Sequence, residues 1–253
     1  MTTTLQPRAR RAGAASLAAL ALLASLPLVV AAQSPSPGAD APAATTSLDG
    51  TWTVDASIGS FDYGAGDFSG SWVGYRVQEE LAGIGGVEAV GRTPEVDGAI
   101  TLAGTTVTGA DLVADLTTLQ SDQSMRDGQL GRQGIQTDQF PTATFVLTEP
   151  IEVGTLPAEG ESISATAVGD LTIHGVTNTV SIPLVAVQSG DVIGVAGSLT
   201  FTWDDYGMEQ PQSMRVVSLA NDVTMELQVF FRHDAAATDA ASEAATSPSA
   251  PPA

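Results

Sequence analysis

Nine residues near the C-terminal end, "VTMELQVFF", place Val223, Met225, Leu227, Val229 and Phe231 on one face and Thr224, Glu226 and Gln228 on the other. A period of two is the signature of a half-buried strand, and it constrains this chain more than any other feature. Further strand-like runs lie at 71–81, 100–104, 105–116, 142–153, 162–173, 180–186 and 197–203, with two more around Trp52 and from Val87. Turn signals punctuate them at 82–86, 96–98, 103–106, 174–178 and 188–191. Eight or more strands with hairpin-like spacing therefore make an all-β antiparallel fold. No run of amphipathic helices is present to cover the apolar face of such a sheet. The sheet must close into a barrel or stack as a sandwich, and periodicity leaves both open.

One segment breaks the rhythm. Residues 121–134, "SDQSMRDGQLGRQG", have no period of two and open with Ser and Asp suited to capping, which predicts a short helix between strands. Gly128, Gly131 and Gly134 weaken that helix, so it is expected to fold by docking on the sheet. Pro183 marks an edge, an end or a bulge in the strand that carries Val180, Ile182, Leu184 and Ala186.

Of 253 residues, 43% are hydrophobic, enough for one full-sized core. The chain contains no Cys, which excludes disulfides, thiolate metal sites and a cysteine nucleophile. Against 29 acidic residues stand 9 basic ones, a net charge of -20, so nucleic acid is not an expected partner. Residues 1–32 read as a signal peptide or an N-terminal membrane anchor. Arg8, Arg10 and Arg11 precede the apolar run from Leu17 to Val30, and "VVAAQ" offers small residues for cleavage. Export, to the cell envelope or beyond, is the expectation, and a retained anchor would tether the domain to a membrane. Removing that segment leaves 6 basic and 29 acidic residues, or -23. Residues 33–47 and 235–253 are Pro, Ser, Ala and Thr-rich, a spacer and a tail around one folded unit at 48–234.

Catalytic patterns are sparse. His174 and His233 are the only imidazoles. His174 precedes Gly175 in a turn, where bonding to the turn backbone or to water explains it, and His233 ends the last strand. Asp204 and Asp205 are adjacent and point apart, whereas Asp111 and Asp115 suit a solvated strand face. No calcium loop, no metal-ligating spacing and no phosphate-cradling glycine loop occurs, so neither cofactor nor metal is expected. All thirteen aromatic residues lie in or beside the strand unit, either as ordinary core filling or as the lining of a partly hollow core.

Four segments in order resemble the YceI-like family: "TWTVDASIGSF" from Thr51, "MRDGQLGRQGIQTDQFPTATF" from Met125, "GDLTIHGVTNTVSIPL" from Gly169 and "FTWDDYGM" from Phe201. The resemblance implies a lipocalin-like barrel of about eight strands whose interior accepts an apolar or amphiphilic lipid such as a polyisoprenoid; the scattered acids and two His, for their part, give no expectation of an enzyme. Under it, Trp72, Tyr75, Phe145, Phe201 and Phe231 are expected to line the barrel, with Arg126 near an opening. Departures from the family pattern at Gln129, Trp203-Asp204-Asp205 and Asn178-Thr179 lower the positive charge there. They favour a neutral or apolar lipid over a phosphate-bearing one. The competing expectation is a filled barrel serving as an envelope or interaction module.

Overall fold

The computed structural model describes residues 48–234; the expected leader and spacer at 1–47 and the tail at 235–253 lie outside the described residues. Fourteen strands are assigned among them. The first seven are β1 (Gly50–Val54), β2 (Phe61–Asp62), β3 (Asp67–Phe68), β4 (Trp72–Leu81), β5 (Gly85–Thr93), β6 (Val96–Ala103) and β7 (Thr106–Asp115). They are followed by β8 (Gln120–Ser121), β9 (Thr142–Leu147), β10 (Ile151–Glu152), β11 (Ser162–Ile173), β12 (Val176–Ser189), β13 (Val192–Thr202) and β14 (Val216–His233).

Eight of them, in the order β1-β6-β7-β9-β11-β12-β13-β14, form a ring. It closes where β1 pairs antiparallel with β14, through Trp52 with His233 and Val54 with Phe231. The fold is a barrel, and closure removes the exposed edges that a sandwich would keep. β14 is long enough to bond two partners along one edge: β1 at residues 231–233 and β4 across most of 216–228. β4, β5 and β8 thereby extend the wall beyond the ring.

Local chemistry explains the joints. β11 and β12 pair over twelve positions and turn through His174 and Gly175, both at positive φ, the combination a two-residue type I′ hairpin requires. His174 does not bond to its own turn. Its Nδ1 lies 3.2 Å from the Tyr206 carbonyl, and its ring rests on Phe140 with centroids 4.4 Å apart. Pro183 lies on the part of β12 bonded only to β11, since pairing with β13 begins at Leu184. The turn expected at 96–98 is instead the start of β6. Gly98 is needed there because a Cβ would fall 2.1 Å from the Asp111 carbonyl across the strand pair.

The interrupting segment forms α1 (Ser124–Gln129), continued by one π-helical turn at Leu130–Gly134. Neither Ser121 nor Asp122 caps it; Ser121 belongs to β8 and donates its hydroxyl to Asp127. Leu130 is buried among Ile135, Trp203, Met208 and the inward side chains of β4 and β14, so docking on the sheet holds the helix. A second cluster, around Trp52, Val229 and Phe231, occupies the end where the ring closes.

Candidate functional site

Alternation along the ring strands sends one set of side chains inward. On β14 these are Met225, Leu227, Val229 and Phe231; on β11, Ile163, Ala165, Ala167 and Leu171; on β7, Ala110, Leu112 and Ala114. A bulge opposite Thr101 and Leu102 keeps Val107 inward as well. Together they enclose a cavity of about 200 Å³. That is over ten times the roughly 15 Å³ that admits one water. Only Thr144 and Gln188 among its lining residues carry polar side chains, so the cavity offers water almost nothing to bond. It reaches the surface beside Leu156, which is 37% exposed. The barrel is therefore hollow, not filled.

Small residues make it hollow. Ala110, Ala114, Ala143, Ala165, Ala167 and Ala186 all face the lumen, where larger residues would meet across the barrel. Two inward-facing aromatic rings sit over glycines. A Cβ on Gly169 would stand 2.5 Å from the Phe145 ring, and one on Gly91 would stand 2.3 Å from the Tyr75 ring. Neither ring could occupy its place above any other residue.

A second cavity, of about 450 Å³, adjoins α1. Tyr75, Val77 and Glu79 of β4, Arg126 and Leu130 of the helical segment, and Trp203 are among its lining residues. Glu79 is buried and accepts a 2.5 Å hydrogen bond from Arg126, which also pairs with Asp122. Burial works against the Arg126 charge, but the bonds to Glu79 and Asp122 outweigh it and raise its pKa. Burial likewise pushes the Tyr75 phenol up, well above the ordinary tyrosine value. The Tyr75 hydroxyl and the Arg126 Nε are both buried without a hydrogen-bond partner.

The six expected site residues divide among these places. Phe145 and Phe231 line the apolar cavity, and Tyr75 and Arg126 line the second one. Phe201 packs edge-on against Tyr206, 4.9 Å between centroids, in the core beneath the helical segment. Trp72 stands on the opposite face of β4 from Val73, which lines the apolar cavity. Its ring lies 4.3 Å from the Arg92 guanidinium, and its Nε1 donates to the Phe68 carbonyl. The aliphatic and alanine lining went unrecognised in the sequence because it resembles ordinary core. The legible signal was "SISATAVGDL", with small residues at successive inward positions.

The aliphatic lining supplies burial for apolar surface. Among the described residues no group of three or more His, Asp or Glu is placed to hold a metal ion. The Asp204-Asp205 pair is structural at Asp205, which accepts from the Thr202 backbone N–H and hydroxyl to cap a 3-10 turn. The model of the YceI-like domain matches residues 52–231, beginning and ending within the two strands that close the ring. The chain belongs to the YceI-like family. Both cavities lie almost wholly inside the YceI-like match. Two solved structures share the fold. A polyisoprenoid binding domain from Saccharophagus degradans, implicated in plant cell wall breakdown, superposes with a TM-score of 0.51 and 18% identity. The match covers 64% of this chain and 94% of that one. BcnA of Burkholderia cenocepacia gives 0.52 and 19%, with coverages of 70% and 98%. A comparison with curated proteins finds no match.

Proposed function

We propose that this YceI-like barrel binds an apolar or amphiphilic lipid, of the polyisoprenoid kind, in its lumen, and does so outside the cytoplasm. The observation that carries this reading is the cavity of about 200 Å³ lined almost entirely by aliphatic side chains. Such a cavity gains nothing from water, whereas each methylene taken out of water contributes about 0.8 kcal/mol. The name of the Saccharophagus degradans domain lends support, since a polyisoprenoid is a branched hydrocarbon chain suited to a narrow apolar tube. Export is supported by the Arg-led apolar segment at residues 1–32, read as a signal peptide or anchor, and by the acidic balance of the remainder.

Extraction of the purified protein with organic solvent, followed by mass spectrometry, tests the reading. The expected result is one apolar compound in stoichiometric amount. Protein that yields none, and that takes up no neutral hydrophobic dye after extraction, overturns it.

A further inference from the structure

The ring is continuous, but its strands are not bonded along their whole height. β11 pairs with β12 from Ser162 to Ile173, yet on its other edge it pairs with β9 only from Gly169 to Thr172. The Val168 carbonyl takes two further bonds, from the Thr148 and Glu149 N–H groups. Beyond that point β10 replaces β9 beside β7, through Ile151 with Val107 and Glu152 with Thr106, and it does not pair with β11. From Ser162 to Ala167 the wall therefore has a seam between β10 and β11. Ile163, Ala165 and Ala167 line the apolar cavity on one side of it, Ile151 and Val153 on the other.

Residues 153–160 connect β10 to β11 and so bridge the seam. The Val153 N–H donates to the Thr105 carbonyl of the β6–β7 turn at 2.9 Å, and the Gly160 N–H to the Gln188 carbonyl near the end of β12 at 2.8 Å. The Glu159 carboxylate accepts from the Gly190 N–H at 2.9 Å. Between these anchors residues 154–157 form no hydrogen bond among the described residues. Leu156 and Pro157 line the cavity, and Leu156 is 37% exposed, so it borders lumen and solvent at once. Gly154 and Gly160, at φ +77° and +80° with open space around them, flank the stretch. A segment pinned at both ends, unbonded between them and flanked by glycines opens locally at far lower cost than the sheet beside it. The opposite end of the barrel offers no such route. β11 runs there to the turn at His174, and Leu130, Ile135, Trp203 and Tyr206 are buried as a packed stopper.

We infer that residues 154–157 are a gate, with Leu156 as its leaf, and that apolar ligands enter and leave the lumen sideways through the seam between β10 and β11. This rests on the lipid-binding reading above and adds its route. A lateral route lets a long hydrocarbon chain slide in without carrying a polar end across the apolar interior. Glu159 is the latch: it holds the β12–β13 turn and does not line the cavity.

Stopped-flow mixing of the extracted full chain with N-phenyl-1-naphthylamine, a neutral apolar dye, reads entry and exit rates separately. Glu159→Ala releases the latch without touching the ligand and should raise both rates about threefold at unchanged Kd. Leu156→Ala removes the leaf and should raise both by about fivefold or more. Met125→Ala, on the exposed side of α1 at the opposite end, should change neither. Circular dichroism and the final dye signal certify that each variant is folded. Unchanged rates in both gate variants overturn the gate and leave the lipid-binding lumen standing. The same follows from faster exit without faster entry, which would make Leu156 a contact only, or from acceleration by Met125→Ala instead. A folded, unmodified protein that takes up no dye overturns both.

Discussion

Placing a large side chain in the lumen distinguishes a hollow barrel from a filled one by the sign of the stability change. Ala167 is suited to this: it is 4% exposed, lies on β11 opposite Ile182, and lines the cavity together with Phe145 and Leu171. Ala167→Phe adds a phenyl ring facing about 200 Å³ of space. An apolar cavity of about 150 Å³ suffices to take up benzene. Burying a Phe side chain stabilises by about 1.5–3 kcal/mol, and small rotamer adjustments of the neighbours reduce the net gain to about 1–2 kcal/mol. For a domain of this size, about 2–4 °C per kcal/mol, the melting temperature of the extracted protein should rise by about 2–8 °C. In a filled core the same change is overpacking and costs about 1–3 kcal/mol, which lowers the melting temperature. Calorimetry of the extracted protein reads the sign, and dye uptake by the same variant should fall at least tenfold because the ring takes the ligand's place. A lower melting temperature with dye uptake intact would refute the hollow lumen.

The remaining predictions concern the supports of the barrel. Asp55 accepts hydrogen bonds from the Ser57 hydroxyl, from Arg232 and from the Ser57 backbone, which hold its pKa down to about 2 from 3.8. A carboxyl depressed on folding stabilises the fold above its unfolded value and loses that contribution as pH falls through the folded one. Acid titration followed by circular dichroism should therefore show the Asp55 contribution fading between about pH 4 and 2; Asp55→Asn should remove that component, and an unchanged acid transition contradicts it. Glu79→Gln strips the buried partner from Arg126 and should cost about 2–3 kcal/mol in urea unfolding, whereas Glu79→Met with Arg126→Met should recover most of the loss. If the double variant is no more stable than the single, the cost of burying Arg126 without Glu79, with only the exposed Asp122 left to pair it, has been misassigned. Gly169→Ala would place a methyl 2.4 Å from the Val146 carbonyl and 2.5 Å from the Phe145 ring, and should lower stability by about 1–3 kcal/mol. Unchanged stability would show that Phe145 does not rest on that glycine.

Strand identity was legible because a period of two runs through most of the long elements, as in Trp72–Leu81 and Val223–Phe231, and is interrupted only locally by bulges such as the one in β7. Closure was not, because the pairs that decide it join Trp52 to His233 and Val54 to Phe231, and no local pattern encodes a pairing at that separation. The family resemblance supplied the barrel where periodicity left barrel and sandwich equal. At the site, aromatic residues drew attention because of their size, yet the lumen is defined by what is small. Six alanines mattered more than Trp72 or Phe201, and alanine carries no signature of its own. The faces of Trp72 and Val73 differ by one position, the smallest step a strand permits, and only the observed register separates them. The hairpin β2–β3, whose Phe68 helps enclose Arg92 beside Trp72, also gave no strand signal, being two residues on each side.

β14 bonds to β13 along one edge and to β4 and β1 along the other, so three strands depend on the last one made. Ribosomal synthesis delivers β1 first and β14 last, and Trp52 must wait 181 residues for His233. Until then β1, β4 and β13 each present an unsatisfied edge to the surroundings, and closure demands loop entropy that local hairpins do not. The folded state is thus gated by chain completion. A chain cut before residue 216 cannot form a smaller version of the barrel, only an open, self-adhesive sheet, so a premature stop late in the coding sequence should be as damaging as one near its beginning.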